Sequence, residues 1–217
     1  MLEIECIIFD MDGLMFDTER IATIALKEAG KHFGYDIKDK LRLQLLGRSK
    51  KDGICILKSA LGENFPAKAV LKYTMLVREK YIEMHGLPIK EGLIELVTYA
   101  KVKGIKTIVA SSSNRDMIEK NLLITNTTPY FDYILGGDEI SNSKPDPEIF
   151  LKACEICGVD TSKSLVLEDS KSGILAAKNA DIKVICIPDL VKHPKEINDL
   201  TYKVLKNLKE VLAEIRV

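Results

Sequence analysis

Residues 4–14 read Ile-Glu-Cys-Ile-Ile-Phe-Asp-Met-Asp-Gly-Leu, a short, nearly continuous apolar run that stops abruptly at Asp10. A run of that kind is expected of a strand buried on both faces of a parallel sheet. Similar runs recur at residues 105–110 (IKTIVA), 133–135 (YIL), 164–167 (SLVL) and 183–187 (KVICI), and helix-like stretches such as residues 91–103 and 146–157 separate them. The alternation predicts an α/β fold: a Rossmann-like parallel sheet core.

Between the first strand and the second lies a stretch of different character, residues 16–85, with helical patterns and no convincing strand. Thr18 is placed to cap a helix that turns Ile21, Ile24, Ala25 and Ala29 inward and stops before Gly34. Three more helices are expected over residues 41–46, 52–60 and 67–84, broken by Gly47, Gly62 and Pro66. The simplest account is an inserted all-helical domain over residues 16–85, set in a core made of residues 1–15 and 86–217. A crossover this long exceeds what joining two strands requires, and oversized connections usually serve as lids or binding elements.

Composition narrows the function. At 217 residues the chain can bury a sizeable core. Lys plus Arg balance Asp plus Glu at 32 each, so there is no global basic field of the kind that draws nucleic acid or an anionic membrane. The acidic start and its short apolar run suit neither a secretory signal nor a membrane span, which leads to the expectation of a cytoplasmic protein, acting as a monomer. Five cysteines, an odd number lying mostly in apolar runs, suit reduced core thiols. Cys154 and Cys157 form a C-x-x-C with no second ligand pair to complete a zinc site. His32, His85 and His193 lack metal-ligand spacing and are read as exposed or packing residues.

In an open parallel sheet, ligands bind beyond the carboxyl ends of the strands. There the sequence carries Asp10-Met11-Asp12-Gly13, Ser111-Ser112-Ser113-Asn114 and Glu168-Asp169-Ser170, with Lys144 in a Ser-Lys-Pro-Asp-Pro loop. Phosphoryl transfer asks for a nucleophile, a proton carrier, a cation to neutralise phosphate oxygens, and donors around the transferred group. Asp10 and Asp169, with Glu168 as a third candidate, are the oxygen ligands that Mg2+ prefers. Ser111 can donate a hydroxyl, the backbone amides near Asn114 open a helix that would favour an anion, and Lys144 supplies a compact positive charge. Ser112 and Asn114 are assigned to substrate binding with them.

These motifs, in this order, resemble the haloacid dehalogenase superfamily, in its phosphatase and β-phosphoglucomutase-like branch with a helical cap after the first motif. The resemblance implies that Asp10 is the nucleophile and Asp12 the general acid and base, with the Asp12 main-chain carbonyl as a metal ligand. It implies further that Ser111 and Lys144 hold phosphate, that Glu168 and Asp169 form the acidic metal motif, and that the cap moves over the core to gate access. Residues 47–50, Gly-Arg-Ser-Lys, resemble the family's specificity loop, so Arg48 and Lys50 are expected to face the distal end of a small phosphorylated metabolite. Mutase relatives carry a histidine on the first cap helix and a cap arginine; Ala22 and Lys50 stand there instead, and both departures favour hydrolysis. The competing readings are a β-phosphoglucomutase-type phosphomutase and a non-catalytic phospho-acceptor; a dehalogenase is disfavoured because the second aspartate and the lysine loop fit the phosphatase pattern.

Overall fold

The computed structural model describes residues 1–45 and 50–216. The chain divides into two compact units, Met1–Asp17 with Leu87–Val217, and Thr18–Gly86.

In the first unit, β1 (Leu2–Glu3) precedes β2 (Cys6–Phe9), the strand announced by the opening run. It begins two residues later than the apolar run, and Leu2 and Glu3, ahead of that run, pair with a C-terminal strand, Ile215–Arg216. Four further strands follow the sequence pattern: β3 (Lys106–Ala110), β4 (Tyr133–Leu135), β5 (Ser164–Glu168) and β6 (Lys183–Cys186). The pattern missed β1, β7 (Lys203–Val204) and β8 (Ile215–Arg216), each only two residues long and so too short to show a period.

Among the described residues the main sheet has six strands in the order β4-β3-β2-β5-β6-β7, all parallel. Every residue of β2 is fully buried, as a central strand covered on both faces requires. Cys6, Ile8, Ile108 and Val166 join one core cluster with Phe150 and Ile174 of the covering helices. Four of the five cysteines are buried, Cys55 is exposed, and all are free thiols.

Register then decides what gathers at the sheet edge. Phe9 pairs with Val109 on one side and Leu167 on the other, so the residues that follow, Asp10, Ala110 and Glu168, stand side by side at the carboxyl end of the sheet. The strand order reverses direction at β2, the position where open parallel sheets form a crevice.

The second unit holds α1 (Thr18–His32), α2 (Asp39–Leu43), α3 (Lys50–Leu61) and α4 (Ala67–His85), and α5 (Leu93–Lys103) follows in the first unit. Leu26, Ala29, Ile37, Leu57, Phe65 and Val70 form its core. Thr18 does not cap α1 as expected: it is the first helical residue, and its buried hydroxyl has no hydrogen-bond partner. A buried Arg42 on α2 is held by the carboxylate of Glu19 on α1, a long-range tie that the periodic pattern cannot show. No helix among the described residues is long and apolar enough to cross a membrane.

Candidate active site

Asp10 continues β2, with its N–H donating to Leu167 O at 3.1 Å. The next turn is fixed by Gly13, whose φ of 86° is costly for a side-chain residue and whose backbone lies against Asp169: a Cβ there would stand 2.4 Å from Asp169 Oδ2. Glu168, the last residue of β5, is fully buried. Its Oε2 accepts from the N–H groups of Asp169 and Ser170, both at 3.0 Å, and from Ser170 Oγ at 2.9 Å. The helix α8 (Lys171–Asn179) is capped by Ser170, whose Oγ accepts from Gly173 N. Glu168 therefore anchors the loop, and the cap itself belongs to Ser170.

Lys144 reaches this cluster from the loop between β4 and α7 (Glu148–Cys157), with its side chain 4% exposed. Its Nζ donates to Asp10 Oδ1 at 2.6 Å, to Glu168 Oε1 at 2.7 Å and to Ala110 O at 3.2 Å, and sits 4.8 Å from the centre of the Phe150 ring. Burial pushes the Asp10 carboxyl up to about 7, with Lys144 opposing and the Glu168 charge adding to the rise. For Lys144, burial favours the neutral amine, but the Asp10 and Glu168 carboxylates outweigh it and hold the ammonium above its ordinary range.

Asp12 sits opposite Ser111 and Ser113, beyond β3. Its Oδ2 accepts from Ser113 Oγ at 2.8 Å and lies 3.5 Å from Ser111 Oγ. Ser112 and Asn114 are exposed, and their side chains make none of the hydrogen bonds that knit the cluster; Asn114 is the residue before α6 (Arg115–Ile124) and makes no side-chain cap. Arg48 lies outside the described residues, as does the side chain of Lys50, whose backbone opens α3.

Two contributors were not assigned from sequence. Ser113 sits in a run of three serines, where nothing in the pattern marks one of them. His193 was read as an exposed or packing residue, yet its Nε2 lies 2.6 Å from Asp169 O; it arrives on the loop after β6, a proximity set by strand order alone.

Carboxylate oxygens of Asp10, Glu168 and Asp169 all fall within 4.8 Å of one another. Three carboxylates and no nitrogen or sulfur make a hard, all-oxygen donor set, which fits a magnesium ion and suits zinc or copper poorly.

Fold and candidate site together define an α/β protein whose polar cluster hangs from the carboxyl edge of a parallel sheet. The chain belongs to the haloacid dehalogenase-like hydrolases, whose family model matches residues 7–187. A phosphorylated carbohydrates phosphatase of Thermotoga maritima is 34% identical over 188 residues, 83% of each chain. Hexitol phosphatase B of Escherichia coli O157:H7 is 29% identical over 203 residues, 93% of this chain and 89% of that one. A crystal structure from Thermotoga maritima, provisionally described as a β-phosphoglucomutase, superposes with a TM-score of 0.82 at 29% identity, covering 97% of this chain and 99% of that one. These two phosphatases and a phosphoglycolate phosphatase of Aquifex aeolicus, 30% identical over 201 residues, are phosphoric monoester hydrolases, and this chain is such an enzyme.

Proposed function

We propose that the chain is a magnesium-dependent phosphatase that hydrolyses a small phosphorylated metabolite, a sugar or polyol phosphate, through a phospho-aspartyl intermediate on Asp10. The observation that carries this reading is the fixing of Asp10 by Lys144 at 2.6 Å, beside Glu168 and Asp169 and at the strand end where Asp12 also stands. The names of the relatives support the substrate class.

Asp10, ionised and held by one oxygen, attacks phosphorus in line, and the bond to the leaving oxygen breaks as Asp12 delivers a proton to it. Asp12 then takes a proton from water, whose oxygen attacks the phosphorus of the acyl phosphate and returns the Asp10 carboxylate. Ser111 Oγ and the N–H groups that follow β3 receive the non-bridging oxygens, with Ser112 and Asn114 beside them, while the Lys144 charge offsets theirs. Magnesium, which Asp10, Asp169 and the main-chain carbonyl of Asp12 would hold with Glu168 alongside, adds charge neutralisation of the phosphoryl group. Residues 1–15 and 86–217 are the catalytic core in this reading, residues 16–85 the cap, and Arg48 and Lys50 address the distal end of the substrate. A single chain supplies all these groups, which is compatible with the reading of the protein as a monomer. Ala22, in place of the mutase histidine, favours water over a second sugar hydroxyl as acceptor.

The test is phosphate release from a panel of phosphorylated sugars, polyols and nucleotides with magnesium, beside a chelator control and an assay of β-glucose 1-phosphate isomerisation. Metal-dependent release without isomerisation is expected. Isomerisation would replace the reading with a phosphomutase, and a long-lived phospho-aspartate without turnover would replace it with a phospho-acceptor.

A further inference from the structure

Among the described residues, the side-chain contacts of the Asp12 carboxyl group fall on one oxygen. Oδ2 takes the Ser113 hydroxyl at 2.8 Å, with the Ser111 hydroxyl farther off at 3.5 Å. Ser113 is itself fixed at both ends of its backbone: its N–H donates to Ser111 Oγ at 3.0 Å, and its carbonyl accepts from Gly137 N at 2.8 Å. The direction of its Cα–Cβ bond is therefore set by the loop after β3, which places the hydroxyl within reach of Asp12.

A carboxylic acid carries its proton on one oxygen, and an oxygen that already accepts a hydroxyl hydrogen is the poorer place for it. Protonating Oδ2 would require Ser113 to turn its O–H away and become the acceptor. We propose that Ser113 is a positioning residue for proton transfer: it holds Asp12 by Oδ2 and leaves Oδ1 as the oxygen that gives a proton to the leaving alcohol and later takes one from water. Ser112, exposed, has no such part. The inference rests on the reaction proposed above and adds a residue to it.

Leaving groups separate this role from a structural one. An alkoxide needs its proton as it leaves, whereas p-nitrophenolate departs without one, and kcat/KM reports only the steps up to the first phosphoryl transfer. The experiment measures kcat/KM of Ser113→Ala, Ser113→Cys and Ser113→Thr on a hexitol or hexose 6-phosphate and on p-nitrophenyl phosphate, with Asp12→Ala as reference. Ser113→Ala is expected to lose about 30-fold on the alkyl ester and under about threefold on the aryl ester, within the range of general acid catalysis. Ser113→Cys, close in size but a weak donor, should follow it, and Ser113→Thr should restore most of the loss. Equal losses on both esters, or none, would overturn the inference while leaving the reaction standing, provided that Asp12→Ala still discriminates between the esters. An Asp12→Ala variant that slows both alike would remove the proton role of Asp12 and the inference with it, and wild-type protein inert on both esters would remove the phosphatase reading.

Discussion

Lys144 Nζ donates to Asp10 Oδ1 at 2.6 Å, and with Glu168 Oε1 and Ala110 O as its other acceptors the three ammonium hydrogens are all taken. The Phe150 ring lies against the same charge. An incoming phosphoryl group thus meets Lys144 as a fixed positive charge whose hydrogens must be shared, and the compactness of the ammonium is what the pocket fits. Lys144→Arg keeps the charge but brings a planar fork of donors that cannot copy three tetrahedral ones. Its kcat/KM is expected to fall at least ~100-fold, a loss of about 3 kcal/mol of transition-state stabilisation. Steady-state kinetics at saturating magnesium checks this, and a near-normal rate would mean that charge alone suffices.

The pH dependence follows from Asp10. Burial raises its carboxyl from 3.8 to about 7, so in metal-free protein its contribution to stability is complete below the unfolded value and is lost as pH climbs through about 7. Lys144, held above its ordinary range by Asp10 and Glu168 against the effect of burial, stays charged throughout that window. Between pH 5 and 8 the thermal midpoint of chelator-treated wild type should therefore fall relative to Asp10→Asn, which has no such proton. Magnesium must displace that proton, so its affinity should climb by up to about tenfold per pH unit below 7 and then level off. Calorimetric titration at several pH values decides it; a flat profile from pH 5.5 to 7 would exclude the linkage.

The fold was legible where burial is complete. The run ending at Asp10, and those at residues 105–110, 164–167 and 183–187, announce inner strands because a strand covered on both faces has little polar alternation to confuse it, whereas the edge strand at residues 133–135 is marked only by its short apolar run. Strands of two residues, such as Lys203–Val204, leave no pattern to read. In the site, Asp10, Asp12, Ser111, Lys144, Glu168 and Asp169 could be named because each follows a recognisable strand or sits in a distinct loop. Partnerships were another matter. That Ser113 and not Ser112 meets Asp12 depends on the bend after β3, and that His193 reaches the Asp169 carbonyl depends on where the loop after β6 runs. Ser113 lies 101 residues from Asp12 and His193 lies 24 from Asp169, and the sequence between such partners carries no trace of either contact.

Gly13 bears on the proposed metal site through space as well as backbone angle. Its φ is 86°, and a Cβ would stand 2.4 Å from Asp169 Oδ2 and 3.1 Å from Asp169 Cγ. Gly13→Ala should therefore push the Asp169 carboxylate out of place and lower stability by about 1–2 kcal/mol through the left-handed backbone. The expected result is a magnesium requirement raised at least ~10-fold with a smaller change in maximal rate, read from activity against magnesium concentration. An unchanged requirement would show that Asp169 does not bear on the metal.

Asp10→Asn removes the proposed nucleophile while keeping the shape. The amide cannot form the acyl phosphate, so turnover should drop by at least ~10³-fold, in the range that follows loss of a covalent nucleophile. The fold should persist, because Lys144 keeps Glu168 and Ala110 as partners. Single-turnover labelling with a radioactive phosphate ester, followed by acid quench, checks the step directly: wild type should hold label on protein and the variant none. Label retained by the variant would move the nucleophile elsewhere.

Glu168→Gln tests whether the buried carboxylate is needed as a charge or only as an acceptor. Oε2 faces three donors, the N–H groups of Asp169 and Ser170 and the Ser170 hydroxyl, while Oε1 faces Lys144. A glutamine has one oxygen and one NH2, so either orientation sets a donor against a donor. With the oxygen toward the loop, the NH2 meets the Lys144 ammonium; turned round, it meets two backbone amides and a hydroxyl. The tightness of the site leaves no third arrangement, since even a methyl at Gly173 would stand 1.7 Å from Oε1. Breaking such a buried pair costs about 3 kcal/mol, and urea unfolding should show a loss of that order with the slope unchanged. Lys144, drawn by Asp10 alone, should then hold the nucleophile more tightly and slow its attack, so kcat should fall along with stability. A variant as stable as wild type but equally slow would assign Glu168 to the chemistry alone, and one that is less stable but fully active would assign it to the scaffold.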